Sequence, residues 1–122
     1  MKKRGKLITF SFLMLVIAAC NNAGNDKLLL GKWNGAEWLI DGKPSNYDVK
    51  NTFFNFDSTG HYTFDYSGNN EKGTYKLENE MLFTTPDNEK EIMVKITKQT
   101  KDSLVFEMNR SGQPEQLTLI RK

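Results

Sequence analysis

The sequence predicts an all-β domain, an eight-stranded antiparallel up-and-down (meander) β-barrel, preceded by a cleaved signal peptide. Three observations carry this. From Leu28 onward the apolar residues recur with period two and not 3.6. Clusters of Asn, Asp and Gly stand between the runs, where tight bends need them. The connections are mostly short, so successive strands form hairpins. An eight-stranded meander hides its two edges best by closing on itself. A flat sheet or a two-layer sandwich is the competing arrangement.

The first strand runs from Leu30 to Ile40 and carries apolar groups on both faces, Trp33 and Leu39 on one, Ala36, Trp38 and Ile40 on the other. A bulge or bend at Gly35 reconciles them. Alternation is clean in Phe54/Phe56, in Tyr62/Phe64/Tyr66 and in Tyr75/Leu77. It is equally clean in Ile92/Val94/Ile96, Leu104/Phe106/Met108 and Leu117/Leu119. Met81, Leu82 and Phe83 leave the facing of the fifth strand open. The longest connection, Asp41 to Lys50, is either a cover over one barrel mouth or a plain surface loop.

Charge divides the chain. Its 122 residues carry 17 basic and 15 acidic groups, formally +2. Lys2, Lys3, Arg4 and Lys6 fall within the first 19 residues, which contain no acid. From Cys20 onward 13 bases face 15 acids, a net −2. A near-neutral body without a basic stripe argues against nucleic-acid binding. The same body has 34 apolar residues in 103, enough for one core and no second domain.

A basic stretch from Met1 to Lys6 leads into an apolar run from Leu7 to Ala19. Thirteen residues are too short for a hydrocarbon core about 30 Å thick, which takes about 20. Residues 1–19 therefore read as a signal peptide, 20–27 as a cysteine and polar tether, and 28–122 as the barrel domain. Ile17-Ala18-Ala19-Cys20 resembles the lipobox of bacterial lipoproteins. That resemblance implies diacylation of the Cys20 thiol, cleavage before it and acylation, as by palmitate, of the new amino terminus. It gives the lone cysteine a role and implies a cell-envelope, membrane-anchored protein. Asn21 after the cysteine favours the outer over the inner membrane by the same resemblance.

Gly31-Lys32-Trp33 at the start of the first strand resembles the Gly-x-Trp signature of the lipocalins. In that family the tryptophan plugs the closed end of the barrel and an arginine from the last strand packs across it. Arg121 has the matching place and shares parity with Leu117 and Leu119. The chain is thus similar to small lipocalin-like lipoproteins of bacteria over about Leu29 to Arg121. It lacks a Thr-Asp-Tyr triplet after a late strand and is short for the family, which implies a smaller interior.

No catalytic constellation stands out, so the expectation is a non-enzyme without cofactor or metal. His61 is the only histidine, and Asp57, Ser58 and His61 crowd one hairpin turn, where a triad is rarely built. Two functions remain open. In one, Phe54, Phe56, Tyr62, Phe64, Tyr66 and Tyr75 line a pocket for a small apolar ligand, with Glu37 orienting it if it faces inward. Leu77, Ile92, Val94, Ile96, Leu104 and Phe106 would complete the wall. In the other, the same rings fill the interior, and rim loops with Tyr47 exposed engage a protein partner.

Overall fold

The computed structural model describes residues 27–122, and the expected signal peptide and Cys20 lie outside them. Nine strands follow in order: β1 (Gly31–Ile40), β2 (Lys43–Pro44), β3 (Thr52–Phe56), β4 (His61–Tyr66) and β5 (Asn69–Glu78). The remainder are β6 (Met81–Pro86), β7 (Ile92–Gln99), β8 (Ser103–Arg110) and β9 (Gln113–Arg121). All pairings are antiparallel between neighbours, and β9 returns to β1, so eight strands close a barrel. β2 is a two-residue addition that folds back on the end of β1. The barrel has no free edge, which removes the pairing hazard of an open sheet.

Turn chemistry sets the hairpins. Ser67-Gly68 and Ser111-Gly112 both hold two successive residues at positive φ, the geometry whose twist matches flanking strands. The strands are longer than the apolar pattern shows. β5 begins at Asn69, so Asn69 and Asn70 belong to the ladder and not to the turn.

The connection from β3 to β4 is held by one carboxylate. Asp57 Oδ1 accepts from Thr59 N at 2.9 Å, Thr59 Oγ1 at 2.8 Å and His61 N at 3.0 Å. Thr59 Oγ1 also lies 2.9 Å from His61 Nδ1, so these polar groups buttress a turn. The His61 and Thr59 bonds hold the Asp57 carboxyl below its usual 3.8, against a smaller opposing desolvation. A lowered pKa means the turn is tightened above the ordinary carboxylate range and loosened as pH falls through the lower, folded value. Amide shifts of Thr59 and His61, followed by NMR in acid, are expected to titrate with a midpoint below 3.8.

A bulge between Gly35 and Glu37, where β1 shifts register against β9, resolves the two-faced first strand. It turns both Trp33 and Trp38 inward, and both are buried. The same shift carries Glu37 to the outer, exposed face. The expectation that Glu37 could orient a ligand inside the barrel is therefore corrected. In β6, Leu82 points in and is fully buried, while Phe83 faces out under Lys76 Nζ, 5.2 Å from its ring centroid.

Candidate functional site: the mouth of the barrel

One end of the barrel is closed. Trp33 and Leu29 are fully buried there, beside Phe56, Leu104 and Leu119. Trp33 Nε1 donates to Leu29 O at 2.8 Å, drawing the segment before β1 under the floor. Arg121 pairs with Trp33 across β1 and β9, and its Cζ lies 4.2 Å from the indole centroid. The guanidinium donates to Leu30 O at 2.6 Å, Leu28 O at 2.8 Å and Lys101 O. Gly31 makes this possible: its φ is +112°, and a Cβ there would stand 2.7 Å from Arg121 Nη1.

The other end opens. A cavity of about 140 Å³ lies between Trp38, Phe54, Tyr62, Phe64, Phe106 and Leu117, with Glu71, Arg110, Met108 and Ile92 toward the rim. Phe54 stacks on Phe64 with centroids 4.5 Å apart, and Phe106 meets Phe54 edge-on at 5.6 Å. Phe54, Tyr62 and Phe64 are thus brought together around this space. Phe56 and Tyr75 lie lower, in mutual contact at 5.1 Å beside the floor, and do not line it. Tyr66 stands aside as well, against Trp38 and Tyr47. Ile92, expected in the wall, is half exposed at the rim. It starts β7 opposite Thr84, where the strand has just entered the barrel.

The long connection after β1 stands at this end of the barrel and is tied down. Ser45 N donates to Trp38 O at 3.0 Å, Asp48 N to the Tyr66 hydroxyl at 3.1 Å, and Ser67 N to Asn51 O at 2.9 Å. Tyr47 packs on Trp38 at 4.4 Å and is only partly exposed, so it is not the free rim aromatic expected from the sequence. Its position in a loop without periodicity hid that contact.

Three charged groups at the mouth were not anticipated. Glu115 is buried, accepts from Trp38 Nε1 at 2.9 Å and stands 3.6 Å from Arg110 Nε. Glu71, partly buried, accepts from the Tyr62 hydroxyl at 2.8 Å. Burial and the Glu71 carboxylate push the Tyr62 hydroxyl well up, so it keeps its proton and serves as a donor. Parity was the available signal: Glu71 shares it with Tyr75 and Leu77, and Glu115 with Leu117 and Leu119. Among the described residues no three His, Asp or Glu side chains stand together as a metal site requires.

The family model for the lipocalin-like domain matches residues 29–106. The chain belongs to the lipocalin-like domain family. Two solved structures share the fold of this lipocalin-like chain. A lipocalin-like protein from Bacteroides uniformis superposes with a TM-score of 0.61 at 16% identity, covering 78% of this chain and 99% of that one. An uncharacterized protein from Bacteroides eggerthii gives 0.62 at 17% identity, covering 76% and 98%. No curated protein gives a match. The family model starts at Leu29, the residue that lies under Trp33 in the lipocalin-like floor.

Proposed function

We propose that this is a lipid-anchored protein of the cell envelope that binds a small, largely apolar ligand in the mouth of its barrel. The observation carrying the proposal is the ring-walled cavity of about 140 Å³ above a solid floor. An apolar cavity of about 150 Å³ accommodates a benzene-sized molecule, whereas drug-sized ligands need about 300 Å³ or more. The ligand is accordingly a single ring, a short chain, or the end of a longer one. Anchoring rests on the lipobox resemblance at Ile17 to Cys20. The described chain starts with Lys27 at the closed end, beside Leu28 and Leu29, which contact the floor. An anchor at Cys20 would therefore leave the mouth turned away from the bilayer, open to ligands from the aqueous side.

Native mass spectrometry of residues 21–122, purified without detergent, tests the reading. A bound mass of up to a few hundred daltons (about one ring, a short chain, or a longer chain held by its end) that denaturation releases is the expected result. Phe64→Ala should reduce that occupancy about tenfold. It should cost only about 2 kcal/mol of stability, because Phe64 is partly exposed and borders space; a fully buried phenylalanine costs about 3–5. An empty barrel that takes up no small apolar compound, with a Phe64→Ala loss at the upper figure, overturns it. The rim would then be the working surface, with Ile92 and Met93, 50% and 58% exposed, as its apolar contacts.

A further inference from the structure

The mouth carries a sign as well as a shape. Of the two charged side chains that line the cavity, Arg110 is more than half exposed, and its Nε faces Glu115 Oε2 at 3.6 Å. Glu115 in turn spends its other oxygen on Trp38 Nε1. Glu71 is different. One of its oxygens accepts from Tyr62, and the other, Oε1, has no hydrogen-bond partner among the described residues. Glu71 therefore brings an available carboxylate oxygen to a cavity whose wall holds five aromatic rings among aliphatic side chains. Glu89 adds to the field, since its charge is also felt at the Tyr62 hydroxyl. The connections around the mouth lean the same way, with Asp41, Asp48, Asp87, Glu89 and Glu91 against Lys43, Lys50 and Lys90.

We propose that the mouth cavity selects small organic cations, a protonated amine seated at Glu71 Oε1 with its apolar body against Trp38, Phe54 and Phe64. This deepens the ligand-binding reading and rests on it. Two physical effects favour the charge. A carboxylate gives a charge-assisted hydrogen bond to an ammonium N–H, stronger than a neutral one. Aromatic faces attract a cation placed over them, most of all where water is thinned out. An anion meets the reverse at both, and the one cation near it, Arg110, is shared with Glu115 and screened by solvent. A rim with more acids than bases also concentrates cations before they enter. The cavity of about 140 Å³ limits the body to about one ring.

Three probes of one shape separate the possibilities: benzylammonium, benzyl alcohol and benzoate, titrated calorimetrically into the full chain as a bacterial host produces it. Benzylammonium should bind about tenfold tighter than benzyl alcohol, and benzoate weakest. Glu71→Gln should abolish the preference, bringing benzylammonium to the level that benzyl alcohol shows on the same variant, its fold checked by circular dichroism. Equal binding of the amine and the alcohol overturns the charge selection and leaves the pocket reading standing. Tighter benzoate overturns it in favour of Arg110. Amine binding that survives Glu71→Gln overturns it by placing the cation elsewhere. Silence from all three probes overturns both the selection and the pocket. Should Glu71→Gln not fold, the order of the three probes on the unaltered protein still decides.

Discussion

Replacing Trp33 with alanine is expected to remove about 3–5 kcal/mol of stability, the range for emptying a fully buried aromatic site. In a domain whose total is about 5–15 kcal/mol, that lowers the melting midpoint by about 20 °C. The size of the effect follows from what converges on this indole. Its ring fills the closed end, its Nε1 holds Leu29 O, and its face carries the Arg121 guanidinium. Loss of the indole leaves Leu29 O without its donor and frees the segment from Lys27 to Leu30 that the floor holds in place. Trp33→Phe separates these contributions. It keeps an aromatic ring and loses the hydrogen bond, and should cost about 1–2 kcal/mol. Arg121→Ala, combined with Trp33→Ala in a double-mutant cycle, should show a coupling of about 0.5–2 kcal/mol. Urea unfolding followed by far-ultraviolet circular dichroism measures all four variants. A loss under about 1 kcal/mol for Trp33→Ala would mean that the floor is not what holds the barrel shut.

Trp33 and Arg121 were legible through the resemblance of Gly31-Lys32-Trp33 to the lipocalin signature, supported by the parity that Arg121 shares with Leu117 and Leu119. The bulge at Gly35 was legible from spacing: two tryptophans five residues apart, Trp33 and Trp38, cannot share a face without one. The acidic residues of the mouth were not. Glu71 and Glu115 occupy inward positions near strand ends, where a carboxylate ordinarily signals solvent, and Glu71 sits beyond residues that read as a turn. Their burial depends on partners distant in sequence, Tyr62 for one and Trp38 with Arg110 for the other. No local pattern encodes such a partnership. Glu37 fails in the opposite sense, since its facing follows from which side of the bulge it falls, a one-residue matter. Leu29 was missed as part of the floor because it precedes the first strand and has no alternating neighbour to give it a face.

Gly73→Ala should rival the loss of Trp33, at about 3 kcal/mol, the upper end of what overpacking costs. Gly73 is buried on the inner face of β5, paired with Tyr62 on one side and Pro86 on the other. A Cβ there would stand 2.1 Å from Thr85 O, 2.8 Å from Pro86 Cα and 2.9 Å from Thr85 C. All three are backbone atoms of β6, so no side-chain rotation gives relief. The two strands would have to part, and in a closed barrel that opening is resisted by the pairings all round the ring. Gly35→Ala is the control. Its Cβ would meet Val49 O at 2.4 Å, Val49 Cγ2 at 2.9 Å and Thr52 Cβ at 3.1 Å, but Val49 lies in a short 3-10 turn (Val49–Asn51) and not in a paired strand, so the cost should be smaller, about 1–2 kcal/mol. Thermal melts should therefore rank Gly73→Ala well below Gly35→Ala; the reverse order would locate the rigidity in the mouth loop and the compliance between β5 and β6. Ligand binding should follow the same order. Glu71 lies two residues from Gly73 on the same face of β5, so a strand forced away from β6 carries its carboxylate out of line with Tyr62 and with the cavity they border.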